Sequence, residues 1–251
     1  MANSKSGDSS LDRLVRILGA FDADVPSMSV GVLAVRADVP LATAYRLVDQ
    51  LVAHNFLRKD PSGSLRLGFG LWELASRSSS ALTLREAAMP FMGDVQAVVG
   101  QHTQLGVLQN DEVLFIERLS GRESVVNQAR VAGRLPVHRT SSGVVLLAFS
   151  PTHVQESYLR RHPTASLPGD AGADDFRRVL GIVRTQGYAA LEGLVDENTT
   201  GIAVPVLGQG DTAIAALGVV VARQGVSVHS VLPALMTGAR GIARAVGARP
   251  D

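Results

Sequence analysis

Between residues 10 and 68 the apolar spacing switches from helical to alternating, and the order of those switches leaves few folds open. The stretch SLDRLVRILGAF (10–21) places Leu11, Leu14, Val15, Ile17, Leu18 and Phe21 along one side of a helix, with Ser10 as its cap. MSVGVLAVRADV (28–39) predicts a second, short helix carried by Val32, Leu33 and Val35, with Ser29 as cap. ADVP (37–40) is a turn, because a residue before proline avoids the helical region. A third helix runs from Pro40 to His54, since proline suits a first turn. FLRKDPSGSLRLG (56–68) then reads as strand, turn, strand around Pro61, Ser62 and Gly63. Three helices followed by a hairpin form a winged helix-turn-helix pattern.

The third helix divides cleanly. At 100° per residue, Ala44, Leu47, Val48, Leu51 and Val52 share one face. Ala42, Arg46, Asp49, Gln50 and Ala53 share the other, with Thr43 and Tyr45 at its edges. An ordinary surface helix has the same periodicity. The ordered set around it favours a helix that enters a DNA major groove, apolar toward its own domain and polar toward base edges. The expected DNA-binding residues are Ala42, Thr43, Tyr45, Arg46 and Gln50, with Arg58, Lys59 and Arg66 of the hairpin on the phosphate backbone.

Beyond residue 70 the pattern changes. LWELASRSSSALTLREAAMPFMGDVQAVVGQ (71–101) is helical with a break at residues 78–80. That break separates a domain at 9–70 and a linker helix at 71–82 from a larger domain at 83–248. The larger domain predicts hairpins at 103–119 and 201–222 and helices at 142–149, 152–162, 175–187 and 231–247. A Pro/Gly-rich loop spans 162–174, and residues 1–8 read as a disordered tail. Hairpins with interspersed helices predict an α+β fold with a mainly antiparallel sheet.

Composition narrows the function classes. A net charge of +1 does not advertise nucleic-acid binding, so any such role must rest on local placement. The absence of cysteine removes disulfides, thiolate metal sites and a cysteine nucleophile. The polar start MANSKSGDSS has no apolar signal core, and the longest apolar run, residues 213–222, is short of a membrane span. A cytoplasmic protein with no membrane partner is expected. The histidines show no i, i+4 metal pair, Gly-x-Ser-x-Gly does not occur, and GQGDTA (208–213) lies between strands rather than before a helix. No metal, cofactor or catalytic residue is therefore expected. A pocket enzyme acting on a small molecule is the alternative reading. Trp72 falls on the linker helix, where packing is its expected role.

SLDRLVRILGAF, ADVPLATAYRLVDQLVAHNFLRKDPSGSLRLG, TQLGVLQNDEVLFIERL, GRLPVHRTSSGVVLLA and GIAVPVLGQGDTAIAALGVVV follow the order and spacing of IclR-family bacterial transcription regulators, which the chain resembles over nearly its whole length. The resemblance implies an N-terminal winged helix-turn-helix domain, a linker helix and a C-terminal GAF-like domain that binds an effector and oligomerises. It implies homodimers or tetramers on palindromic operators in double-stranded DNA, a repressor role, and a small organic acid as effector.

The resemblance also carries residues across. Where relatives have Lys then Ser or Thr before the recognition-helix threonine, this chain has Leu41 and Ala42. Two phosphate anchors are lost, which predicts a shallower salt dependence of DNA binding. In the effector domain, TSSGVV (140–145) matches at Thr140, Ser142 and Gly143, but Val144 replaces a lysine. NTTGIAVPV (198–206) has Asn198 where relatives have glycine, and Gly218 and Val220 stand where serines are common. The expected effector residues are Thr140, Ser141, Ser142, Gly143, Thr199, Gly201, Ile202 and Gly218, with His138 adjacent. Hydroxyls and N–H groups at a helix start hold a carboxylate without a formal positive charge. RTSSG also reads as the cap of the following helix, and the two roles are compatible. The lost serines predict an apolar pocket suited to an aromatic or otherwise apolar acid.

Overall fold

A computed structural model describes residues 8–22, 24–77, 79–121, 129–165, 173–224 and 226–247. Most of the expected N-terminal tail, residue 78 of the expected helix break and most of the Pro/Gly loop lie outside them. The chain divides into two compact units, Met1–Leu82 and Thr83–Asp251.

In the first unit, α1 (Ser10–Gly19) starts from a capping box. Asp12 N–H donates to the Ser9 hydroxyl at 3.1 Å, and Ser9 N–H donates to the Asp12 carboxylate at 3.0 Å. The cap is thus Ser9, not Ser10, because the return bond needs an acid three residues on. Of the expected apolar stripe, Ile17 is buried and Leu14, Leu18 and Phe21 pack beside it, whereas Leu11 and Val15 remain exposed. Helix α2 (Val30–Arg36) is capped by Ser29 as expected, but it buries Val30, Leu33 and Ala34 and leaves Val32 and Val35 in solvent. Asp38, at φ 50°, turns the chain into α3 (Leu41–Ala53). Strands β1 (Leu57–Lys59) and β2 (Leu65–Leu67) pair antiparallel, with Arg58 opposite Arg66. Asp60 closes the hairpin tip by accepting from Ser62 and Ser64, and Gly63 supplies the positive φ there. Met28 bridges Leu65 on the far side of β2, a pairing with no local signal. Ile17, Leu33, Leu47, Leu57 and Leu65 make the centre of this small core. In α4 (Phe69–Arg77), Trp72 is 67% exposed, so its expected packing role is not met within the unit. Helix α5 (Ser80–Val99) runs through the division between the units.

The second unit holds β3 (His102–Gln109), β4 (Glu112–Leu119), β5 (Arg134–Pro136), β6 (Ala189–Glu192), β7 (Thr199–Leu207) and β8 (Ala213–Ala222) in one antiparallel sheet. Their order is β5-β4-β3-β8-β7-β6. Strands β5 and β6 are too short to show alternation, which is why sequence reading passes over them. Helices α6 (Ser141–Ala148), α7 (Thr152–Arg161) and α8 (Ala173–Gln186) lie between β5 and β6 in the chain, and α9 (Val228–Gly247) follows β8. All eight residues of α6 are buried, packed on the sheet face that carries Ala203, Ala216 and Phe115. Helix α9 lies on the opposite face, where Gly238 approaches Val95 and Leu217 and Gly241 fits against Phe91. The 208–212 segment is a hairpin turn containing one 3-10 turn at Gln209–Asp211, with Gly210 and Asp211 at positive φ, so GQGDTA opens no α-helix.

Candidate functional sites

Helix α3 sorts its residues by depth. Ala44, Leu47, Val48 and Leu51 are buried, Val52 is half-buried, and Ala42, Tyr45, Arg46, Asp49 and Gln50 are exposed. Thr43 is half-buried at the edge. This agrees with the 3.6-residue period. The helix begins after Pro40 with no side-chain cap, and Leu41 is exposed at its first turn.

The hairpin cations do not form one patch. Arg58 and Arg66 are cross-strand partners on one face, and the Arg58 guanidinium lies 5.6 Å from the centre of the Phe69 ring. Arg66 also lies 3.9 Å from Asp60. Lys59 points the other way and meets Asp49 of α3 at 3.3 Å. Strand alternation forces this split, because Lys59 follows Arg58 directly. The hairpin side that faces α3 therefore carries Lys59.

In the second unit a narrow cavity of about 40 Å³ opens where the start of α6 meets the sheet. Thr140 and Ser141 form one wall, with Gly201 and Thr199 of β7 opposite. Thr140 is also the cap of α6: its hydroxyl accepts from Gly143 N–H at 2.9 Å. Cap and cavity wall are thus the same residue. Gly201 is needed for contact, since a Cβ there would stand 2.8 Å from the Ser141 hydroxyl. Phe115, Leu135, Leu191, Leu194 and Val220 make the remaining surface largely apolar.

The other expected residues stand around this cavity rather than in it. Gly143 is pressed against Val137, whose carbonyl would lie 2.3 Å from a Cβ. Ser142 is fully buried with an unpaired hydroxyl, 3.2 Å from where a Gly218 side chain would begin. Ile202 pairs with Val219 and, by strand alternation, faces away from Gly201 toward the α9 side. His138 turns toward α7, with Nδ1 2.8 Å from the Tyr158 hydroxyl.

Two polar wall residues escaped the sequence reading. Gln104 reaches the cavity only because β3 pairs with β8, which sets it beside Gly218. Nothing near residue 104 signals that. Arg139 was legible as the cation preceding TSSG. It lines the cavity and donates to the Leu194 carbonyl at 3.3 Å. The wall thus adds a guanidinium to the hydroxyls and N–H groups on which the expectation of a carboxylate site rested.

Behind the cavity lies a polar cluster. Burial pushes the Tyr158 phenol up to about 12, so it stays protonated, and its hydroxyl shares a hydrogen bond with His138 Nδ1. Burial, with the charges of His162 and Arg139, holds His138 below its usual value. Asp111, at φ 66° in the β3–β4 turn, accepts two hydrogen bonds from Arg161 at 2.7 and 2.6 Å and lies 3.0 Å from His162 Nε2. The Arg161 bonds, followed by His162, hold its carboxyl below the usual range. Among the described residues no group of three or more His, Cys, Asp or Glu is placed to hold a metal ion, and no helix is long and apolar enough to cross a membrane.

Comparison with known proteins gives a consistent picture. The IclR helix-turn-helix domain matches residues 10–61, and the C-terminal domain of the bacterial transcriptional regulator IclR matches residues 77–248. The chain resembles the crystal structure of an IclR homologue from Microbacterium hydrocarbonoxydans complexed with 4-hydroxybenzoate. The TM-score is 0.87 at 42% identity, over 96% of this chain and 100% of that one. It is 27% identical to the Escherichia coli regulator XynR, over 83% of this chain and 84% of that protein. It is also 26% identical to the Escherichia coli repressor AllR, over 57% and 54% of the two chains.

Proposed function

The chain belongs to the IclR family of bacterial transcription regulators, and we propose that it is a repressor released from, or tightened on, its operator by a small apolar monocarboxylate. The supporting observation is the cavity itself: one guanidinium, a run of hydroxyls at a helix start and otherwise apolar walls suit a carboxylate on an aromatic or aliphatic body. The relative bound to 4-hydroxybenzoate supports an aromatic acid as the first candidate.

In this reading residues 9–70 bind DNA, 71–82 link, and 83–248 sense the effector and oligomerise in the cytoplasm. Ala42, Thr43, Tyr45, Arg46 and Gln50 read bases in the major groove, while Lys59, Arg58 and Arg66 contact phosphates. Homodimers, alone or paired as tetramers, present two recognition helices to a palindromic site. The effector must bind two dimer conformations with different affinity, or it shifts nothing. Thr140, Ser141, Thr199 and Gly201 form the polar rim of the effector site, with Arg139 on the carboxylate and no catalytic step assigned.

The test is a fluorescence-anisotropy titration of the full chain against DNA upstream of its own gene, with and without 4-hydroxybenzoate and benzoate. Saturable binding that Arg46→Ala weakens and an acid modulates supports the proposal. Sequence-blind binding that Arg46→Ala leaves unchanged, with no response to any acid, overturns it.

A further inference from the structure

A second, larger cavity of about 270 Å³ lies at the other end of α6. It exists because β6 begins only at Ala189, opposite Ala203, so the β7 edge from Val204 to Leu207 has no strand beside it. The gap is walled by Val204, Pro205 and Leu207 of β7, by Phe149 at the end of α6, and by Met236 and Ala239 of α9. These walls are apolar.

Two cations stand at this apolar space. Arg184 of α8 donates from Nη1 to the Ala148 carbonyl at 3.0 Å, and its guanidinium lies 5.6 Å from the Phe149 ring centre. These contacts fix its position while leaving donors to spare, since a guanidinium carries five N–H groups. Arg240 of α9 lines the same cavity, and neither arginine is ion-paired with a described carboxylate. No Asp or Glu lines the cavity. By contrast, Arg36, Arg161, Arg177 and Arg223 each sit on a carboxylate. Two guanidinium groups without an acid, at the rim of an apolar gap, are complementary to one kind of small molecule, an anion with an apolar body.

We propose that this gap is a second ligand site, separate from the Arg139 cavity, that takes an apolar monocarboxylate such as a medium-chain fatty acid. The carboxylate lies between Arg184 and Arg240, and the chain lies along β7 toward Leu207 and Met236. The site bears on the first one through α6. Thr140, its cap, lines the first cavity; Phe149 and the Ala148 carbonyl, at its other end, belong to the second.

The test uses the full chain with octanoate as probe, followed by calorimetry and by the ¹³C-methyl resonance of Met236. Arg240→Gln keeps the fold, because Arg240 is exposed and makes no ion pair with the described residues. It is expected to weaken octanoate about tenfold, the size of one charge-assisted hydrogen bond. Arg139→Gln leaves octanoate affinity within about twofold and still shows the Met236 shift, while Arg184→Lys, which keeps the charge, retains binding. Octanamide binds wild type at least about tenfold more weakly than octanoate if the charge matters. The proposal fails if octanoate does not bind, if it binds without moving the Met236 methyl, or if Arg139→Gln abolishes binding while Arg240→Gln does not. That last result would leave the first cavity intact as the effector site.

Discussion

Gly201 of β7 and Ser141 of α6 meet face to face, so closely that a Cβ on Gly201 would stand 2.8 Å from the Ser141 hydroxyl. Gly201 is not among the positive-φ glycines, so alanine suits its backbone and only the contact is tested. Gly201→Ala is expected to displace Ser141 into the cavity and to weaken 4-hydroxybenzoate by about tenfold or more, for a cost in stability of roughly 1–3 kcal/mol. Calorimetry and thermal unfolding read the two effects separately. Unchanged acid affinity would remove this cavity as the effector site.

Arg139 supplies the formal charge in the same wall. Arg139→Gln is expected to weaken benzoate by about 1.5–3 kcal/mol, the range for a hydrogen bond to a charged group, and to leave benzamide affinity nearly unchanged. An equal loss for acid and amide would mean that Arg139 shapes the wall rather than binding the carboxylate.

On α3 the two charged residues of the exposed face act in opposite directions. Arg46→Ala is expected to weaken operator binding by about 1–3 kcal/mol if it reads a base, or to lower the salt slope by about 0.9 if it holds a phosphate. Asp49 sits on the same face and holds Lys59 at 3.3 Å. Asp49→Asn is therefore expected to tighten DNA binding and steepen its salt dependence, as one repulsion is removed and Lys59 is released. Anisotropy titrations at several salt concentrations give both quantities, and no change in either variant would take α3 away from the groove.

His138 makes stability pH-dependent. Its pKa in the folded chain is held below the ordinary 6.5 by burial and by the charges of His162 and Arg139. Between the two values the unfolded chain binds more protons, so stability rises with pH through that window. The contribution is complete above about pH 6.5 and is lost as pH falls toward the folded pKa. Asp111, whose pKa is lowered by Arg161, adds a loss only on further acidification below the ordinary 3.8. The melting temperature of wild type is expected to drop from pH 7.5 to pH 5.5 by more than that of His138→Gln, whose amide can still hydrogen-bond the Tyr158 hydroxyl. Parallel curves would clear His138 of the effect.

The residues of α3 illustrate what was legible early. Burial of Leu47 and exposure of Arg46 follow from a period that a few neighbouring residues define. The phase of α2 was less legible, because Val30, Val32, Leu33, Ala34 and Val35 are all apolar and only the packing partner chose among them. The hairpin shows the same limit: its turn was readable from Pro61 to Gly63 and alternation parts Lys59 from Arg58, but only packing decided that Lys59 is the one facing α3.

The cavity at the start of α6 marks the boundary between the two kinds of information. Thr140 as a cap is a local fact, settled by a side chain and an amide three residues apart, and the sequence determined it alone. The same holds for the hairpins, the amphipathic helices and the winged helix-turn-helix order, all set by short-range spacing and turn chemistry. Only the tertiary structure decided that Gln104 stands beside Gly218, that Arg139 reaches Leu194, and that Gly201 rather than Ile202 is the one that faces the cavity. The reason is strand register. Which side of a strand meets the cavity depends on its partners and on the helix that covers it, and a shift of one residue reverses every side chain.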